Sequence, residues 1–219
     1  DAILLARFPR LPKRGKIVDL CAGNGAVGLF ASSKTNAQII ELEIQERLAD
    51  MATRSIELNG LTDRMSVIND NLNRALDHLH TSSADLIFCN PPYFKVDSDE
   101  SHLNESKHYT LARHELTTNL DEIFSVSKKL LKTNGHIAMV HRPERFLEIV
   151  DKMRANNLQP KWIQFVYPKA NQPANILLID AIKDGALTGA TILPPIVTHN
   201  DDDTYTKAVW DIYEGKSND

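Results

Sequence analysis

The sequence predicts the α/β class, with a doubly wound, mostly parallel sheet of seven strands, and three observations carry that prediction. Short β-rich runs alternate with longer runs of helical period, the pattern of successive βαβ units. A glycine-rich turn joins the first strand to the following helix, with three of the nine glycines, Gly23, Gly25 and Gly28, inside six residues. Two adjacent prolines, Pro91 and Pro92, follow the fourth strand at the place where such sheets hold their ligands.

The strands are read at Lys16 to Leu20, Gln38 to Glu43, Met65 to Ile68, Leu86 to Cys89, His136 to His141, Trp162 to Tyr167 and Asn175 to Ile182. A short helix, Leu29 to Ser33, follows the glycine turn. The clearest helix is Glu46 to Asn59, with apolar or small residues at Leu48, Ala49, Ala52, Ile56 and Leu58 and Gly60 as its stop. A further helix, Asn119 to Lys132, is expected to end on the pair Asn134 and Gly135, and another starts at Pro143, which suits a first helical turn, and runs to about Asn156. The stretch from Asn90 to Leu111 is a long, weakly apolar connection, of the kind that is usually functional or disordered. Beyond Gly185 the pattern degrades, so residues 186–219 are expected to be an irregular acidic extension of one domain spanning 1–219. The chain opens at Asp1 inside an amphipathic run, so an N-terminal piece is expected to precede it.

With 42% hydrophobic and 25% charged residues over 219 positions, the composition excludes collagen, low-complexity disorder and a disulfide scaffold. Apolar runs such as Ile176 to Ile179 stop far short of the ~20 residues that span a bilayer. Cys21 and Cys89 are too few and too far apart for a disulfide framework or a zinc site, which points to a reducing, cytoplasmic compartment. The net charge of −4 conceals an asymmetry: residues 196–219 hold six acids and two bases, leaving twenty-three of each upstream. Residues 141–169 carry six Lys or Arg against three acids, enough for a local anion-binding surface on a neutral body.

Glycine lets a strand-to-helix turn take left-handed backbone and lets a ligand approach it, and the helix start offers free N–H groups. Glu43 closes the second strand twenty residues beyond Gly23, where a carboxylate can hold ribose hydroxyls. Asp70 and Asn71 follow the third strand. Together these residues resemble the class I S-adenosylmethionine-dependent methyltransferases, whose first motif is an acid followed by alternating glycines and whose sheet is Rossmann-like. Asp19, Gly23 and Gly25 match that motif, while Cys21 stands where the family often has its first glycine. The resemblance assigns Asp19 and the turn Cys21, Ala22, Gly23 and Gly25 to the methionine moiety, Glu43 to the ribose and Asp70 or Asn71 to the adenine edge, with S-adenosylmethionine as cofactor.

Asn90-Pro91-Pro92-Tyr93 is the sharpest signal in the chain. Consecutive prolines fix φ twice and remove two N–H donors, leaving nearby carbonyls as acceptors of fixed direction. An exocyclic amine conjugated to a ring is a poor nucleophile until its nitrogen pyramidalises. Acceptors from the Asn90 side chain and the Pro91 carbonyl favour that geometry and the positive charge that develops on transfer. Tyr93 and Phe94 are expected to stack on the ring that carries the amine. The chemistry needs no general base, so His114 and His141 are not read as catalysts, and the spacing of the eight histidines suggests no metal.

Methyltransferases that act on adenine N6, on guanine amines and on glutamine amides share this tetrapeptide, so the resemblance to the class alone leaves the acceptor open. Asp1 to Ala6, Asp19 to Gly25, Glu43 to Gln45, Asn90 to Phe94, Ala112 to Glu115 and His141 to Arg145 together resemble the bacterial family that methylates adenine-37 of valine tRNA. That resemblance implies a tRNA partner whose anticodon-loop base can be read without opening a duplex. Lys95, Lys107, Arg113, Arg142, Arg145 and Lys169 are the candidate phosphate contacts. The rival readings are an N5-glutamine methyltransferase of a release factor, a guanine N2-methyltransferase of rRNA, a silent cofactor-binding subunit and a nicotinamide dehydrogenase. The dehydrogenase explains the glycine turn but not the prolines, and an intact Asn90 to Tyr93 argues against the silent subunit.

Overall fold

A computed structural model describes residues 1–92 and 119–216. The strands are β1 Lys16–Leu20, β2 Gln38–Glu43, β3 Met65–Asn69, β4 Ala84–Cys89, β5 Leu131–His141, β6 Leu158–Tyr167, β7 Ile176–Lys183, β8 Thr191–Ile192 and β9 Ile196–Val197. The sheet runs in the order β3-β2-β1-β4-β5-β7-β6-β8, with β9 also paired to β6. The pairs β1 with β2, β2 with β3, β1 with β4 and β4 with β5 are parallel, whereas β7 runs antiparallel to both β5 and β6. The order reverses between β1 and β4, which opens the crevice at their carboxyl ends that doubly wound sheets use for ligands.

The helices are α1 Ala2–Arg7, α2 Ala26–Ser32, α3 Glu46–Leu58, α4 Ala75–His78, α5 Leu120–Leu130, α6 Phe146–Ala155 and α7 Lys207–Tyr213, with 3₁₀ turns at Leu72–Arg74 and Pro143–Arg145. Alternation along the strands sorts their side chains to two faces. Val18, Leu20, Leu42, Ile87 and Ile137 join Ile123 and Phe124 of α5 and Ile149 of α6 in one core. Ile17, Ile39, Leu86 and Phe88 join Leu5 of α1, Val27 of α2 and Ile56 of α3 in the other. Helix α5 is capped by Asn119, whose side chain accepts from Asp121 N at 3.0 Å. Helix α3 stops at Gly60, whose φ of 64° lets Leu61 N return to Ile56 O at 3.0 Å.

Two expectations are corrected. Asn134 and Gly135 do not cap a helix: α5 ends at Leu130, β5 begins at the next residue, and the pair lies in an irregularity where the β4–β5 register jumps from Ala84↔Leu131 to Leu86↔His136. Asn134 takes a left-handed φ of 63° there, so the turn chemistry was real but belongs to a strand bulge. The sheet exceeds seven strands, because the segment expected to be irregular contributes β8 and β9, which pair with β6, and then α7. Two-residue strands carry no detectable period, which is why the sequence hides them.

Candidate functional site at the strand ends

The register aligns the carboxyl ends of β1, β2, β3 and β4. Leu20 pairs with Leu42 on one side and Cys89 on the other, and Glu43 pairs with Asn69. The glycine turn, Glu43, Asp70 and Asn90 therefore leave one rim of the sheet, as the sequence requires for a shared site.

The turn itself is built from three left-handed residues, Cys21 (φ 62°), Gly23 (φ 59°) and Gly25 (φ 80°). Cys21 adopts that conformation as a non-glycine residue, an energetic cost in a backbone that its neighbours hold. Ala22 N donates to Leu42 O at 3.1 Å, tying the turn to β2, and Gly25 N closes it on Ala22 O at 3.0 Å. Glu43 is buried and grips the turn from below: its Oε2 accepts from Gly23 N at 2.8 Å and its Oε1 from Gln45 N at 2.9 Å. Each carboxylate oxygen retains accepting capacity beyond those bonds. Asn69 steadies the strand end by donating to Glu43 O at 2.8 Å and Ile44 O at 3.1 Å.

Asp19 is fully buried, so its carboxylate lies beneath the turn and not on the rim surface. Burial, and then the charge of Glu43, raises it to about 7, with the Gly28 N–H opposing. Beyond the third strand, Asp70 is drawn to its own helix. Its Oδ2 lies 2.8 Å from His78 Nε2 and its Oδ1 accepts from Asn71 N at 2.8 Å, with Arg74 at 3.4 Å. The His78 hydrogen bond, with the Asn71 N–H, holds it below the usual carboxylate range. Asn71 caps the following 3₁₀ turn, its Oδ1 accepting from Asn73 N at 2.9 Å.

Asn90 is half-buried, Pro91 buried and Pro92 exposed, directly after β4 and beside the glycine turn. Tyr93, Phe94, Lys95, Lys107, Arg113 and His114 lie outside the described residues. Of the expected phosphate contacts, Arg142 is exposed after β5 and donates from Nη1 to Asn175 O at 3.0 Å. Arg145 is engaged by a two-pronged pair with Glu148, at 2.9 and 2.8 Å. Lys169, after β6, pairs with Asp203 at 2.7 Å. His141 is buried, and burial followed by the Arg145 charge lowers it to about 4, so it is neutral at physiological pH. Among the described residues no cluster of three His, Cys, Asp or Glu could hold a metal, and no helix is long and apolar enough to cross a membrane.

One residue escaped the sequence reading. Glu41, in register with Asp19 on β2, is fully buried under the same turn. The available signal was a charge at an inward position of a central parallel strand, where both faces are expected to be apolar.

Known proteins resemble this chain in sequence and in fold. A tRNA1(Val) (adenine(37)-N6)-methyltransferase of Parabacteroides distasonis is 28% identical over 180 residues, covering 82% of this chain and 74% of its own. A predicted O-methyltransferase of Agrobacterium tumefaciens superposes with a TM-score of 0.79 at 22% identity, over 99% of this chain and 97% of its own. The geranyl diphosphate C-methyltransferase of Streptomyces coelicolor A3(2), solved with S-adenosyl-L-homocysteine, superposes with a TM-score of 0.62 at 13% identity, over 82% of this chain and 78% of its own. At those identities the two structures speak for the class I methyltransferase fold. The span from α1 to the turn after β5, residues 6–145, matches the family described as conserved hypothetical protein 95, and the chain belongs to that family.

Proposed function

We propose that this protein transfers a methyl group from S-adenosylmethionine to the N6 amine of an adenine in tRNA, at adenine-37 of valine tRNA. The observation that carries the reading is the juxtaposition at one rim: Leu20 and Cys89 are register partners, so the glycine turn and Asn90-Pro91-Pro92 leave neighbouring strands side by side. The similarity to the Parabacteroides enzyme supports the tRNA adenine over a release-factor glutamine or an rRNA guanine.

The residues at the rim fit the cofactor. A side chain added at Gly23 would meet nothing within 4 Å, so the turn is open on that side. Glu43 and Asp19 place negative charge around it, which suits a ligand bearing an ammonium and a sulfonium. Glu43, with accepting capacity left on both oxygens, would hold the ribose hydroxyls. The bound cofactor supplies an electrophilic methyl group. Asn90 Oδ1 and the Pro91 carbonyl would accept the two amine hydrogens, turning the nitrogen lone pair out of conjugation and stabilising its developing charge. Methyl transfer from the sulfonium would leave the amine as an ammonium, whose proton would pass to solvent. Neutral, buried His141 takes no proton in this scheme. Arg142 would meet the phosphates flanking the base, where exposed charge contributes through counterion release. Incubation with labelled S-adenosylmethionine and, separately, total tRNA, rRNA and a release factor tests the reading: label in tRNA alone supports it, and label in either other substrate refutes it.

A further inference from the structure

Glu41 takes no part in the site as described, yet its placement is specific. On α2 and α3 the neighbouring faces present Val27, Gly28 and Ala31 and Ala49, Ala52 and Ile56, and β3 presents Met65. A Cβ at Gly28 would lie 2.3 Å from Glu41 Oε1, and one at Gly25 would lie 2.5 Å from Oε2. Gly28 sits inside α2, so the missing side chain there provides room for this carboxyl and not backbone freedom. Asp19 faces Glu41 in register from β1, and Glu43 adds its charge to Asp19. Among the described residues no Lys, Arg or His forms an ion pair with any of the three, and no described group donates to either Glu41 oxygen.

A buried carboxyl without a donor costs stability that an apolar side chain of similar volume avoids. We propose that Glu41 is a positioning residue for the cofactor turn: its protonated carboxyl donates to the Asp19 carboxylate and fills the space left by Gly25 and Gly28, holding the turn in its binding shape with Asp19 anionic beneath it. Burial, followed by the Asp19 charge, raises Glu41 to about 9, which keeps the proton in place at neutral pH. The proposal rests on the cofactor reading of the turn.

Titration calorimetry with S-adenosylhomocysteine on the whole chain tests it, with folding followed by circular dichroism. At pH 7.5 Glu41→Gln, a neutral donor of the same shape, retains affinity within about threefold. Glu41→Met, neutral and of similar size but unable to donate, loses about tenfold or more, the cost of stranding one buried acceptor. Above about pH 9 the wild type weakens relative to Glu41→Gln, because only the wild type gains a second buried charge. Equal affinities for the Gln and Met variants, or a Gln variant as weak as Met, overturn the donor role. A ratio of wild type to Glu41→Gln that does not change from pH 7.5 to 10 overturns the protonation, and this comparison decides even if Glu41→Met does not fold. A wild type that binds no S-adenosylhomocysteine refutes the cofactor reading itself.

Discussion

Replacing Glu43 with glutamine changes one oxygen into an amide nitrogen and so tests the grip on the glycine turn with almost no change of shape. In the native arrangement both oxygens accept, one from Gly23 N at 2.8 Å and the other from Gln45 N at 2.9 Å. An amide offers one acceptor and two donors, so one of those N–H groups is left facing another donor and the remaining bond loses its charge. A hydrogen bond to a charged group contributes about 1.5–3 kcal/mol, and the site is nearly closed to water, with Glu43 5% exposed. Loss of one such bond corresponds to roughly 10- to 150-fold weaker binding of S-adenosylhomocysteine, since each 1.4 kcal/mol is tenfold. Calorimetric titration at pH 7.5 measures it directly. Glu43→Asp, one methylene shorter, cannot reach both amides and is expected to fall in the same range. Unchanged affinity in Glu43→Gln would refute the account of the turn, and a loss of fold without a loss of affinity in the folded fraction would make Glu43 purely structural.

Asn90→Ala is expected to lower single-turnover methyl transfer by about 10²–10³, the usual loss when one preorganised polar contact to a transition state is removed, with cofactor affinity unchanged; full activity would dismiss Asn90 from catalysis. Arg142→Glu is expected to weaken tRNA binding and flatten its salt dependence while cofactor affinity holds. Arg145→Glu breaks the pair with Glu148 and is expected to lower the melting temperature as well, so the two arginines separate under the same measurements. Stability is expected to fall as pH rises from about 4 toward 9. In the folded chain Asp19 keeps its proton from the ordinary 3.8 up to about 7, and Glu41 from 4.5 up to about 9, where the unfolded chain has lost both; each contributes a slope of up to about 1.4 kcal/mol per pH unit within its own interval, so above about pH 7 Glu41 alone contributes. Glu41→Gln removes one of the two contributions, so its denaturation midpoint should gain on the wild type across that window; parallel curves would contradict the burial of an acid there.

Much of the rim was legible because its chemistry is local. The glycines of the turn, the acid ending β2 and the paired prolines after β4 are each a response to one backbone demand, and the strand period then brings them to one edge. What the sequence left hidden depends on which side chains the folded backbone brings together. Glu41 reads as one more residue of an alternating strand until the register sets it opposite Asp19, twenty-two residues upstream. Arg145 and Lys169, expected to meet phosphates, are engaged by Glu148 and Asp203 in the folded chain. Asp70, expected at the adenine edge, is claimed by His78, which helix α4 returns to it.

The proposed methyl acceptor is one amine of one base. The most direct test is a single-turnover reaction of the full chain with S-adenosylmethionine and an anticodon stem-loop of valine tRNA, followed by mass spectrometry of the digested nucleosides. N6-methyladenosine is expected, formed from the loop with adenine at position 37 and absent when that base alone is replaced by guanine. Methylation that survives the replacement, or a methyl group on a ring carbon, a ribose or another base, would contradict that assignment.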